Sequence, residues 1–477
     1  MKFSRWPFAI LALTLCLGLS PAASAAVPAT SPAKAFYLHP GDRVLFYGDS
    51  ITEQRYYPVA VETYVRTRYP NLHVKFVDSA VGGARVTGNW AVHSEAQSLQ
   101  RDVYPFHPTV VTIMLGMNDA MYRPFDQSIF DTYTRGYTYI VTQLQKHLPG
   151  VKIVLIQPSP WDDVTHKPSW FNNPDHLPGG YNDTLLRYCA FVRKLGAEHH
   201  FMVVNFNTPI VDLLKQAEAF DPTLAKKLIP GRIHPGASTQ LFMAQLLLKA
   251  WHAPATVSTV SIDAQTHHIQ GTDNTHVTGL IVTPTRISWN QSDKSLPYPI
   301  MTLHSTRWPQ FPPDPFLSYP TDLYWKLPPL TGDKLNPVAQ LVTQDTHMYQ
   351  RLDAETLQIS GLTGNAYTLN IDGAPIGTFT AGQLSQGINL ARYQTPMMDQ
   401  ADKVLTAVWH EEDLRFYEWR AVQVALRDDH YPGVQAAARP LIAAILRQKA
   451  HQALREQTLA QPIPHHYTLT LQTPTQP

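Results

Sequence analysis

From about residue 43 to residue 254, short apolar runs alternate with longer segments whose apolar positions recur at helical spacing. That alternation predicts strands joined by helical crossovers, and so an α/β unit with a parallel sheet. Strands are expected at Val44–Tyr47, Val74–Val77, Val110–Leu115, Ile153–Ile156 and Met202–Asn205. Helices are expected near Tyr57–Arg68, Ser94–Val103, Ile129–Leu148 and Asn182–His199, with Ala237–Trp251 closing the unit. Five strands with four crossovers suit a doubly wound sheet of flavodoxin-like order. Its ligand crevice lies at the carboxyl ends of the strands, where the winding reverses.

After His252-Ala253-Pro254 the texture changes. Residues 255–400 carry short alternating runs, Val257–Ile262, Val277–Val282, Thr356–Ile359 and Tyr367–Ile371, broken by Gly, Pro, Asn and Asp. They predict a smaller antiparallel β-rich domain. The stretch from Trp289 to Pro337 is rich in proline and aromatics, including Trp308, Phe311, Phe316, Tyr319, Tyr324 and Trp325. Large aromatics serve core or interdomain packing more often than they serve as sugar platforms. Beyond them, Asp399–Val408, Glu412–Leu426 and Val434–Gln457 read as helices and Tyr467–Leu471 as one last strand. The division expected is 38–254, 255–400 and a helical 401–477 that ends in a strand. A chain of 477 residues has room for it at about 100–200 residues per domain.

The N-terminus reads as an export signal. Lys2 and Arg5 precede an apolar run from Trp6 to Leu19, small residues follow through Ala26, and Ala23-Ser24-Ala25 fits an A-x-A cleavage site. The apolar core is shorter than the ~20 residues a spanning helix needs. Residues 1–25 are therefore expected to be removed, leaving a secreted or periplasmic chain without a membrane span. A lipid anchor on Cys16 is disfavoured, because Leu15 stands where a lipoprotein signal wants a small residue. Cys189 is then the only cysteine left, in a helix-like stretch where a buried small residue is the expected role.

Charge narrows the partners. Charged residues make up 16 % of the chain, the formal net charge is +1, and no Lys/Arg cluster stands out. Nucleic acid has no electrostatic footprint here. The 21 histidines are scattered, with neither H-E-x-x-H nor a Cys/His cluster at ligand spacing, so neither metal nor cofactor is expected.

Four short segments carry candidate chemistry, three at expected strand ends and one before the closing helix. Val44-Leu45-Phe46-Tyr47 runs straight into Gly48-Asp49-Ser50, where glycine permits a sharp turn and the serine hydroxyl is presented at the crevice. Ser50 and Glu53 also have the spacing of a helix capping box. Gly82-Gly83 follows the second strand and can turn a backbone N–H toward an oxyanion, or form an ordinary turn. Asn118, in Gly116-Met117-Asn118-Asp119, can donate its amide to an oxyanion or cap a helix. His234, in Ile233-His234-Pro235-Gly236, lies in the loop before the closing helix, free to reach across the crevice. Together they supply a nucleophile, two oxyanion donors and a base.

This order resembles the SGNH (GDSL-like) hydrolase family over about residues 43–252. The resemblance implies Ser50 as nucleophile, His234 as general base, and an oxyanion hole of the Ser50 and Gly83 N–H groups with the Asn118 side chain. Gly83 is preferred to Gly82 by its offset from the strand, and Asp49 and Asp119 flank the site as supporting residues. One position departs from the pattern. The family usually carries Asp three residues before the histidine, and here that position is Gly231. The reaction implied is hydrolysis of an O-acyl ester, with acetyl on a carbohydrate as the leading substrate class. The alternative is a catalytically impaired glycan-binding protein on a hydrolase scaffold, which the missing carboxylate favours.

Overall fold

The computed structural model describes residues 35–89, 94–166, 180–300, 337–423 and 432–472. The expected signal peptide and the aromatic stretch from Trp308 to Trp325 lie outside the described residues. The first half is built from β1 (Arg43–Gly48), α1 (Ser50–Glu53), α2 (Tyr56–Arg68), β2 (Lys75–Asp78), α3 (Glu95–Asp102), β3 (Val110–Met114), α4 (Gln127–His147) and β4 (Lys152–Gln157). It continues with α5 (Gly180–His199), β5 (Met202–Asn205), α6 (Thr208–Phe220), α7 (Pro222–Ala225) and α8 (Ala237–Ala250). All five strands are parallel, in the order β2-β1-β3-β4-β5. This is the flavodoxin-like doubly wound arrangement.

The central strands are the most apolar because helices cover both sheet faces. In β1 every residue after Arg43 is buried, and β3 is buried throughout. The edge strands β2 and β5 are only partly buried. The chain leaves β1 toward β2 on one side and returns to β3 on the other, so the crevice opens between the ends of β1 and β3, where Gly48 pairs with Met114. Helices α6 and α7 are absent from the sequence expectation; α6 follows from the buried spacing Ile210, Leu213, Leu214 and Ala217, and Asp221 caps α7.

The second half contains β6 (Thr256–Asp263), β7 (His268–Asp273), β8 (Thr275–Val282), β9 (Arg286–Asp293), β10 (Ala354–Ser360), β11 (Ala366–Ile371), β12 (Ala374–Thr380), β13 (Ile388–Asn389) and β14 (His465–Leu471). They form a four-stranded sheet, β13-β10-β6-β7, and a five-stranded sheet, β12-β11-β14-β9-β8. The expectation of purely antiparallel pairing needs one correction, because β6 and β10 are parallel. The long connection between them, which includes the helices Pro337–Asp345 and Met348–Leu352, is the crossover such a pair requires.

The final strand β14 lies between β11 and β9, where Tyr467 stacks on the fully buried Trp289 at 5.0 Å. Asp399–Val408 and the start of Glu412–Leu426 form one helix, Pro396–Phe416, which continues as a wider turn over Tyr417–Gln423. Thr395 caps it by accepting from the Met398 N–H, and Pro396 fills its first turn. No break occurs at Glu411-Glu412 because Arg415, one turn on, pairs with both carboxylates.

That helix lies on α2, and a buried ion cluster joins them. Arg415 also pairs with Glu62 at 3.4 Å, while Arg66 pairs with Glu62 at 2.7 Å and with Glu456, from the helix Pro432–Leu459, at 3.2 Å. Burial and the neighbouring Glu62 and Glu411 carboxylates push the Glu456 carboxyl upward. Glu62, Glu411 and Glu456 approach one another within 4.8 Å, a spacing that could hold a cation, but the two guanidinium groups already occupy the cluster. Removing one partner of a buried charge network costs about 3–5 kcal/mol because the remaining charges lose their compensation. Arg415→Met is therefore expected to lower unfolding stability by about 3 kcal/mol or more, measured by urea denaturation.

Candidate active site

β1 delivers its chain directly into the candidate site. The turn residue Asp49 caps α1, its carboxylate accepting from the Ile51 N–H at 3.0 Å. Ser50 is thus the first residue of α1 rather than its cap, and its side chain is not engaged in a capping box. As a first-turn residue it also has a backbone N–H that the helix leaves unused. Ser50 Oγ lies 2.8 Å from Nε2 of His234, 184 residues away. With Nδ1 protonated, the serine hydroxyl donates to Nε2.

The loop after β2 is stitched to β1. Ser79 N–H donates to the Phe46 carbonyl and Val81 N–H to that of Gly48, which brings Gly82 and Gly83 beside Ser50. A β-carbon on Gly82 would lie 2.7 Å from a Glu53 carboxylate oxygen and 3.8 Å from Ser50 Cβ. Gly83 differs: it has φ 73°, and a β-carbon there would meet nothing within 4 Å, so it faces open space. The β3 exit is held from behind. Hydroxyls of Tyr137, Tyr133 and Tyr181 donate to the carbonyls of Ile113, Leu115 and Met117 in turn. Asn118 follows, donating one amide N–H to the Ala84 carbonyl at 3.2 Å and accepting from the Tyr122 hydroxyl at 2.6 Å. Its Oδ1 and Nδ2 are thereby distinguished, and its second N–H stays available to a ligand. Asp119 accepts from the Val86 N–H at 2.9 Å and ties the β3 exit to the β2 loop.

Ser50, His234, Asn118, Asp49 and Asp119 are all buried. Burial pushes the His234 imidazole down to about 4, so it is neutral near pH 7. Burial pushes Asp49 and Asp119 each up to about 7, and in Asp49 the nearby Asp119 and Glu53 carboxyls add to the rise. The site thus keeps its base unprotonated.

Residues 46–240 match the sequence profile described as the GDSL-like Lipase/Acylhydrolase family. The match lies within the α/β half of this chain. It makes the chain a carboxylic ester hydrolase by class, which implies small ester substrates. Among solved structures, a gut microbial diltiazem-metabolizing enzyme matches with a TM-score of 0.73 and 22% identity, over 92% of this chain and 99% of that one. The likeness in fold therefore extends through the second half. A catalytic mutant of an acetylxylan esterase from Geobacillus stearothermophilus matches with a TM-score of 0.35 and 19% identity, over 45% of this chain and 96% of that one. An acetyl xylan esterase matches with a TM-score of 0.34 and 19% identity, over 44% and 98%. No curated protein matches the chain.

Within the acylhydrolase domain, three features escaped the sequence reading. Gln240 on α8 donates through Nε2 to the Pro235 carbonyl at 3.2 Å and to Gln54 Oε1 at 2.6 Å, and its Oε1 accepts from the Tyr57 N–H. One amide therefore ties the histidine loop to the end of the serine helix. Asp162 donates its N–H to the Arg232 carbonyl at 3.0 Å, fastening the loop after β4 to the histidine loop. Gly231 is exposed and is not among the residues with positive φ, whereas its neighbour Arg232 has φ 66° and lies over the Trp161 ring. The third is Arg55, with φ 66° just beyond α1. A non-glycine residue in the left-handed region costs about 1–2 kcal/mol.

The glycines at the strand ends differ in what they tolerate. A β-carbon at Gly116, φ 140°, would lie 2.4 Å from Pro158 Cγ, whereas the one at Gly83 would meet nothing. Gly116→Ala is expected to lose about 2 kcal/mol or more in urea denaturation, from overlap added to backbone strain. Gly83→Ala is expected to lose about 1 kcal/mol, the left-handed cost alone.

Proposed function

We propose that the chain is an exported serine esterase that hydrolyses O-acyl esters through an acyl-enzyme on Ser50. The observation that carries this is the 2.8 Å contact between Ser50 Oγ and a neutral, buried His234 Nε2 at the crevice of the sheet. His234 takes the Ser50 proton as Oγ bonds to the acyl carbon and the carbonyl oxygen becomes an oxyanion. The N–H groups of Ser50 and Gly83 and the second N–H of Asn118 receive that charge. One such donor is worth about 2.7–4 kcal/mol in a serine protease. His234 then passes the proton to the departing alkoxide, the acyl group remains on Ser50, and water activated by His234 releases the acid.

Acetyl esters of a carbohydrate are the substrate class proposed, from the export-type N-terminus and by analogy with O-acyl esterases of the family. The competing reading, a glycan-binding protein with an impaired triad, rests on Gly231. One series of measurements separates them. Purified protein is expected to hydrolyse 4-nitrophenyl acetate, to release acetate from acetylated xylan, and to gain the mass of one fluorophosphonate adduct, all lost in Ser50→Ala. A folded protein that takes no adduct and releases no acetate, yet binds the polysaccharide, would decide for the binding protein.

The pH dependence follows from His234. Its pKa lies below the usual 6.5, so the imidazole stays neutral as pH falls through 6.5 and becomes protonated only near 4. The acid limb of kcat/KM is expected near pH 4 in a stopped assay of 4-nitrophenyl acetate hydrolysis. A limb at 6.5 or above would mean that His234 is not the buried base described here.

A further inference from the structure

The serine helix α1 is a single turn of four residues, too short to hold its shape by its own hydrogen bonds. Its N-terminal end continues from β1, inside the sheet. Its C-terminal end is closed by Arg55, whose N–H donates to the Thr52 carbonyl at 2.8 Å and whose carbonyl accepts from the Val59 N–H of α2. Arg55 does this with φ 66° and ψ 0°, a conformation glycine would adopt without steric cost. What holds an arginine there is remote in sequence. Its guanidinium is buried, 4.4 Å from the Phe416 ring centroid and 5.3 Å from that of Trp409. Nη1 donates to the Glu412 carbonyl at 3.2 Å and pairs with Asp413 at 3.3 Å. These four partners belong to the helix Pro396–Phe416.

We infer that Arg55 is a positioning residue for acyl transfer, through which the C-terminal helix fixes the turn that ends the serine helix and so the place of Ser50 Oγ. The inference rests on Ser50 as nucleophile. A small cavity whose lining includes Glu53, Arg55, Asp78, Glu412, Phe416 and Trp419 adjoins this turn, and removing the guanidinium would enlarge it. A displacement of Ser50 by about 1 Å misaligns it with Nε2 and the oxyanion donors, which lowers kcat rather than ground-state affinity.

Arg55→Gly keeps the backbone conformation without strain and removes the anchor, so it separates the two roles of the residue. It is expected to fold and to lower kcat on 4-nitrophenyl acetate by about tenfold or more, with KM within about twofold. Fluorophosphonate labelling of Ser50 should slow in parallel, and hydrogen exchange over residues 49–56 should rise. Arg55→Lys should recover most of kcat, and Asp413→Asn should lose kcat in the same direction by a smaller factor. A folded Arg55→Gly with wild-type kcat, or with only KM changed, overturns the inference. So does Arg55→Lys no better than Arg55→Gly. If Arg55→Gly does not fold, Asp413→Asn decides: unchanged kcat and unchanged exchange overturn the inference, and a kcat loss with faster exchange supports it. If the wild-type protein neither hydrolyses the ester nor takes the label, the nucleophile reading fails, and the exchange over 49–56 still decides the anchoring.

Discussion

β1 has strands paired along both edges and is buried from Val44 to Gly48, so none of its own side chains can meet a ligand. The first group able to do so is carried by the turn that leaves it, where Asp49 caps a one-turn helix and Ser50 begins it. The same constraint acts on β3, whose first available side chain is Asn118. A doubly wound sheet therefore concentrates its chemistry where two of its buried central strands end side by side.

Bringing polar groups to such a place is costly unless each has a partner. The tyrosines behind β3, the amide of Gln240 and the carboxylate of Asp119 supply those partners, and in doing so restrict how the loops can move. The titratable groups respond to the same burial. The His234 imidazole is pushed down and the Asp49 and Asp119 carboxyls up, each toward its neutral form. A neutral imidazole against a serine hydroxyl is the state in which proton transfer can begin. Burial that is unfavourable for folding thus suits the chemistry.

The second half of the chain is tied into this arrangement. The helix Pro396–Phe416 lies against α2, exchanges buried ion pairs with it and touches the residue that closes the serine helix. Downstream of it, β14 returns to the middle of the five-stranded sheet, between β11 and β9, both of which precede it by long stretches of sequence. The α/β half and the C-terminal elements consequently share a core.

The parallel sheet, its strand ends and the order of its four motifs were legible in the sequence, because burial acts at spacings a short window contains. Apolar runs mark strands, helical periods mark crossovers, and Gly-Asp-Ser, Gly-x-Asn-Asp and His-Pro stand at the points where buried segments stop. The parallel pairing of β6 with β10 and the unbroken helix over Pro396–Phe416 were less legible, since neighbouring packing decides them. Gln240, Asp162 and Arg55 could not be found that way at all. Each is a polar residue whose partner lies across the fold, for Arg55 on a helix some 350 residues downstream. Local sequence determines where a chain can be buried and where it must turn. Only the tertiary structure decides which buried donor faces which acceptor, because that depends on distances between elements no single segment contains.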